Sequence, residues 1–239
     1  MIIATVVEGK TDHIVLVEIL KKLLPAGKHR YLAPLQPTKE FHKRGKGWKG
    51  VRNWCKETWQ EEDCSLKDIL SDATGPAIDM LVIHVDADIA AEHDLQEGTD
   101  ALYDPIEQPC PPIQATIRQL RRVIMGKGWL NSSALPRQII LAIPAQDTEN
   151  WTFAALFPEN KLCAQNDYEC IRKTHKKPGY KLSTNDYGKF FKRKGREIKK
   201  PERVYNKLAP QIAEKWDKVC AICSQAQQFT QDVRSLIIH

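Results

Sequence analysis

Residues 80–90 read Met-Leu-Val-Ile-His-Val-Asp-Ala-Asp-Ile-Ala. Met80 to Val85 is short, apolar and rich in β-branched side chains, with no polar alternation. Such a run suits a strand buried on both faces, as in a parallel sheet covered by helices. Asp86 and Asp88 follow it, so two carboxylates stand at the carboxyl end of a buried strand. Two other segments share the pattern. Ile2 to Val7 (IIATVV) is followed by Glu8-Gly9-Lys10 and Asp12, and Gln138 to Ile143 (QIILAI) is closed by Pro144 and followed by Asp147 and Glu149.

Between these runs the period changes. Val15, Leu16, Ile19, Leu20, Leu23 and Leu24 recur at helical spacing, with Thr11 or Asp12 placed to cap the helix and Pro25 and Gly27 to end it. Tyr31 to Leu35 reads as a second strand. Val51 to Glu62, with Trp54 and Trp59 as packing residues, Ile113 to Met125, and Asn150 to Phe157 read as helices. Ala90 to Pro112 is acidic, carries prolines and reads as a loop. Strands alternating with helices predict an α/β fold: a parallel, Rossmann-like sheet with helices on both faces.

After Pro158 the composition shifts to Lys, Arg, Asn and Tyr, and Arg203 to Gln228 has helical composition. The expected organisation is a catalytic domain over residues 1–157 and a basic, mostly helical C-terminal appendage over 158–239. The chain has 239 residues and a net charge of +6, a surplus that favours anionic partners. No apolar run approaches the length that spans a bilayer, and Met1 to Val7 is too short for a secretory core, so a cytoplasmic protein is expected. Seven irregularly spaced cysteines fit reduced thiols. Cys220-x-x-Cys223 invites zinc, with Cys163, Cys170 or His175 as partners. A single tight pair at i,i+3 fits packed core cysteines better.

The three carboxylate groups follow three predicted strands. In a parallel α/β sheet the carboxyl ends of the strands meet at one edge, where ligands bind. Each group alone also has an ordinary reading: a loop Asx turn for Asp86 and Asp88, a turn for Glu8-Gly9, a helix cap for Asp147 and Glu149. Gathered together they would repel strongly, and oxygen-rich clusters of this kind suit Mg²⁺ or Mn²⁺. His84 alternates with Asp86 and is expected to pack or hydrogen-bond.

VVEGKTD (Val6 to Asp12) and LVIHVDADIA (Leu81 to Ala90) together resemble the Toprim domain, shared by topoisomerases, bacterial primases, ribosomal-RNA maturation nucleases and the overcoming-lysogenization-defect nucleases. The resemblance covers roughly residues 1–155. It implies that Glu8 acts as metal ligand or general acid/base, and that Asp86 and Asp88 hold Mg²⁺. In the nuclease branch Asp12, four residues after the glutamate, and a later acid, here Glu149, help hold a second ion. Asp147 is a weaker candidate. A basic residue near the scissile phosphate would be Lys177, with Lys176 beside it. Topoisomerases and primases need further domains that this chain has little room for, and no GxxxxGK[ST] loop is present. The resemblance therefore implies a small standalone Toprim endonuclease cutting DNA or RNA. Similar proteins are effectors in bacterial and phage conflict systems, beside a separate ATPase or other partner.

Basic segments would grip the nucleic-acid backbone. Lys189 to Lys200 (KFFKRKGREIKK) holds seven basic residues and one acid, with Lys192, Arg193 and Lys194 at its centre and Phe190 and Phe191 available for stacking. A solvated helix face is the plain alternative. Lys43, Arg44 and Lys46 lie in a glycine-bearing loop that would close over nucleic acid or simply face solvent. Two rival functions remain. A glycosyltransferase using a DxD with Mn²⁺ leaves EGKTD unexplained. A non-catalytic nucleic-acid or partner-binding module on the same scaffold leaves the intact acids without a task.

Overall fold

The computed structural model describes residues 1–38, 44–60, 70–71, 77–96, 106–126, 128–171, 192–194 and 197–237. The protein is α/β, with a four-stranded, all-parallel sheet and, among the described residues, seven α-helices. The strands are β1 (Ile2–Val6), β2 (Arg30–Tyr31), β3 (Met80–His84) and β4 (Ile139–Ala142), in the order β2-β1-β3-β4. Helix α1 (Lys10–Leu23) connects β1 to β2, α2 (Gly47–Gln60) lies between β2 and β3, and α3 (Gln114–Met125) lies between β3 and β4. The central strand pair is in register from Ile3 opposite Met80 to Val6 opposite Ile83. The chain leaves β1 toward β2 on one side, and β3 enters on the other. The connections that leave β1 and β3 therefore run to opposite sides, making the switch point where α/β sheets place their ligands.

Alternate residues of each strand serve opposite faces. Ile3, Val7, Met80, Val82, Ile140 and Ala142 join one buried cluster. Ala4, Val6, Leu81, Ile83, Val85, Ile139 and Leu141 join the other, with Trp54, Leu120 and Trp129. This double burial explains why the strands show no polar alternation.

Several local expectations are corrected. Gly9, not Thr11 or Asp12, is the N-cap of α1, and both of those side chains are buried inside the helix. Formal β2 ends at Tyr31. Residues 32–36 still track β1 through Leu32 N to Ile3 O (2.9 Å) and Leu35 N to Thr5 O (2.8 Å), while Pro34 has no N–H to offer. Helix α2 begins at Gly47, whose φ of +61° suits glycine. A short 3-10 turn, Ala87–Ala91, runs into the expected loop, and a second, His93–Gln96, lies within it. Cys110 and Cys170 form a disulfide, against the expectation of reduced thiols throughout.

After β4 come α4 (Thr148–Leu156), then a hairpin of β5 (Lys192–Lys194) and β6 (Glu197–Lys199), then α5 (Glu202–Glu214), α6 (Trp216–Ile222) and α7 (Ser224–Ile237). The centre of the basic run is thus strand, not helix. The expected helical stretch breaks at Lys215 and Cys223. A single 36-residue helix would extend about 54 Å and could not fold back on the sheet. The breaks let Trp216 meet Trp151 edge-on at 5.3 Å and Phe229 stack on Trp151 at 6.1 Å. Of the 27 buried residues in the first core cluster, twelve lie beyond residue 158. The expected boundary near Pro158 therefore does not divide the core. No helix among the described residues is long and apolar enough to cross a membrane.

Candidate active site

Glu8 follows β1, Asp86 follows β3, and the loop after β4 leads into α4. Because these three strands are neighbours, their ends deliver the acids to one place. The Asp86 N–H donates to Glu8 Oε1 (2.7 Å), and the Thr148 N–H donates to Asp86 Oδ1 (3.0 Å). Two hydrogen bonds thus link the ends of all three strands. His84 is fully buried, its Nε2 lies 2.9 Å from Thr148 Oγ1 and 3.4 Å from Asp86 Oδ1, and burial pushes its pKa down. A neutral imidazole is the consequence, so this contact is polar and not an ion pair. His84 is a hydrogen-bonded core histidine, as expected.

Asp12 comes from the first turn of α1 and is 3% exposed. Its Oδ1 is buried without a hydrogen-bond partner. Leaving a carboxylate oxygen buried and unsatisfied is costly unless something cationic answers it. Asp88 is exposed at the rim. Burial pushes Glu8 up to about 8; the Asp86 amide and Lys200 oppose the shift, while Asp12 and Asp88 add to it. Asp86 is likewise held well above the usual carboxylate range by burial and then by Glu8, Asp12 and Asp147, with Lys200 opposing. The folded protein thus gathers more negative charge at this edge than its own cations offset.

That excess has a measurable consequence. Between pH 4.5 and about 8 the folded state binds more protons at Glu8 than the unfolded chain does, so stability falls as pH rises through that window. We expect the metal-free protein to lose on the order of 2 kcal/mol from pH 5 to pH 8 through this group, and Glu8→Gln to flatten the profile. Urea unfolding in EDTA at the two pH values measures it, and an equal slope in both proteins would rule it out.

Asp147 and Glu149 separate in role. Asp147 is the N-cap of α4, its Oδ1 accepting the Asn150 N–H at 3.1 Å. Glu149, in the first turn, is completely buried and paired. Lys200 Nζ lies 2.7 Å from Oε1 and 2.8 Å from Oε2, and Tyr205 Oη donates to Oε1 at 2.6 Å. Burial opposes the charge on Lys200, but Glu149, Asp12 and Asp86 outweigh it and hold the ammonium above its ordinary pKa. Burial and Glu149 together drive the Tyr205 hydroxyl upward, so it stays a donor. Tyr205→Phe removes one hydrogen bond to a buried charge and should cost about 1.5–3 kcal/mol. Thermal unfolding should show a drop of several degrees, whereas an unchanged midpoint would mean the bond contributes nothing net.

Lys200 and Tyr205 were not legible as site residues. Lys200 carries only the signal of the basic run Lys189 to Lys200, and Tyr205 only the helical composition of Arg203 to Gln228. Lys177 and its neighbour Lys176 lie outside the described residues, as do Lys43, Phe190, Phe191 and His175. Lys192, Arg193 and Lys194 form β5. Lys46 is exposed, but the guanidinium of Arg44 is turned into the fold, its Nε 2.5 Å from Glu57 Oε2. Arg44 is thus held in an ion pair whose Glu57 partner is 40% exposed. The loop's end does reach the site: a Cβ built on Gly47 would lie 3.6 Å from Glu8 Oε2.

Cys163, Cys220 and Cys223 are free thiols, and Cys170 is spent in the disulfide. Among the described residues no three His, Cys, Asp or Glu side chains are grouped as a ready-made metal cage. No protein-family model matches the chain, and no curated protein or solved structure does.

Proposed function

We propose that this chain is a divalent-metal-dependent nuclease of the Toprim type, hydrolysing phosphodiesters of DNA or RNA. The observation that carries the reading is the convergence of Glu8, Asp12 and Asp86 at the switch point between β1 and β3, with Asp12 Oδ1 buried without a hydrogen bond. The donor set is oxygen only, as Mg²⁺ and Mn²⁺ prefer, and its surplus negative charge fits a cation. Glu8, Asp12, Asp86 and Asp88 would hold it. When bound, such an ion supplies Lewis acidity toward a phosphate oxygen and an attacking water.

The chain's own groups then have distinct tasks. The Asp86 amide fixes Glu8 Oε1, which leaves Oε2 as the atom that takes or returns a proton. Burial raises the Glu8 carboxyl in the metal-free site, and a cation held there would oppose that shift and favour the ionised form. Thr148 orients Asp86 through its backbone N–H. Lys46 and the Lys192–Lys194 hairpin are suited to phosphates along the backbone, which accords with the net charge of +6. A separate ATPase or defence partner belongs to the same proposal.

The test is cleavage of plasmid DNA, single-stranded DNA and total tRNA with Mg²⁺ or Mn²⁺, comparing wild type with Asp86→Asn. Cutting by wild type alone establishes the activity and names the substrate. Equal cutting by both refers it elsewhere. A thermal shift with a nucleotide sugar, in the absence of any cutting, would favour the glycosyltransferase.

A further inference from the structure

Lys200, paired with Glu149, has no task in the functional reading. Its ammonium lies within 2.8 Å of both Glu149 oxygens and is attracted by Asp12 and Asp86 as well. Glu149 has no exposure at all, and Tyr205 Oη takes part of the same oxygen that Lys200 approaches most closely. Lys200 is also held from both sides in the chain. It directly follows β6 and directly precedes Pro201, the N-cap of α5, whose Glu202 pairs with Lys10 of α1 at 3.3 Å. The ammonium is thus placed by the fold, in the part of the cluster where Glu149 would otherwise need a metal ion.

We propose that Lys200 is a resident cation filling the second of two cation positions, so that the site takes a single divalent ion. This rests on the metal-dependent reading above. Glu8, Asp86, Asp88 and the unsatisfied Oδ1 of Asp12 would close around that single ion when it binds. Glu149 cannot serve a second ion while both of its oxygens face the ammonium, because a divalent cation there would stand against Lys200 at close range. The ammonium supplies the positive charge that a second ion would otherwise bring toward the phosphate. Its charge does not depend on metal supply.

The experiment is isothermal titration of the full chain with MnCl₂, read alongside the Mn²⁺ electron paramagnetic resonance spectrum. Wild type is expected to bind one ion with an uncoupled six-line signal. Lys200→Met vacates the position and should bind two ions, with a spin-coupled signal. Lys200→Gln, which keeps a donor for Glu149, should do the same with a second site weaker by about tenfold or more. The double variant Glu149→Gln/Lys200→Met removes both charges and should return to one ion. Two ions in wild type would overturn the inference while leaving the metal reading intact, as would one ion in a folded Lys200→Met. Failure of both single variants to fold even in saturating Mn²⁺ would overturn it too, because an ion able to take the vacated position would restore the lost charge. No Mn²⁺ binding by wild type would remove the metal reading itself, and this inference with it.

Discussion

Asp86→Asn should lower Mg²⁺-dependent cleavage by about 10³-fold or more, while making the metal-free protein more stable. The two effects have opposite signs for one reason. Asp86 is buried beside Glu8, Asp12 and Asp147, and each of these raises the free energy of its ionised form. Asparagine keeps an oxygen to accept the Thr148 N–H, now seen at 3.0 Å, and leaves the backbone N–H that binds Glu8 in place. The variant therefore loses the charge and retains the scaffold. Thermal unfolding in EDTA at pH 8 should show a higher midpoint than wild type, and the rise that Mg²⁺ produces in wild type should vanish. A lower midpoint in EDTA would mean that Asp86 is chiefly a counter-charge to Lys200. Undiminished cleavage would detach Asp86 from the chemistry.

Deleting residues 158–239 should abolish folding outright. The helices beyond residue 158 pack on α1, α4 and β4, and their removal would strip twelve of the 27 buried residues from the cluster that holds Leu16, Ile19, Trp151 and Phe153. A milder version isolates one contact. Trp216 is fully buried, meets Trp151 edge-on and donates from Nε1 to Thr230 Oγ1 at 2.8 Å. Trp216→Ala should cost about 3–5 kcal/mol, on the order of 10 °C in the midpoint. A cooperative unfolding transition in the 1–157 fragment would show instead that the sheet domain stands alone.

The strands were readable because burial on both faces writes continuous apolar runs into the chain, and helices were readable from the spacing of apolar positions. Element ends were less so. Gly9 caps α1 although Thr11 and Asp12 are better capping residues by type, because both of those side chains are drawn into the interior at the strand edge. The 36 residues from Glu202 to Ile237 have no strong breaker at Lys215 or Cys223. The turns there are imposed by the packing of Trp216 and Phe229 against Trp151. The pairing of Cys110 with Cys170, 60 residues apart, likewise left no trace in the spacing of the cysteines.

The same division runs through the candidate site. That Glu8, Asp86 and Asp147 stand at strand ends is a local property, and a parallel sheet brings the ends of neighbouring strands together whatever the rest of the chain does. Sequence alone therefore determined which acids could meet. It did not determine their state. Glu149 and Lys200 are 51 residues apart, and only the docking of α5 onto α1 and α4 brings Lys200 and Tyr205 to the Glu149 carboxylate. Charge in a protein interior is governed by distance and exclusion of water, and both are properties of the packed molecule. The fold thus decides which acid already has its cation at hydrogen-bond distance and which, like Asp12 at Oδ1, has an oxygen buried without a hydrogen bond.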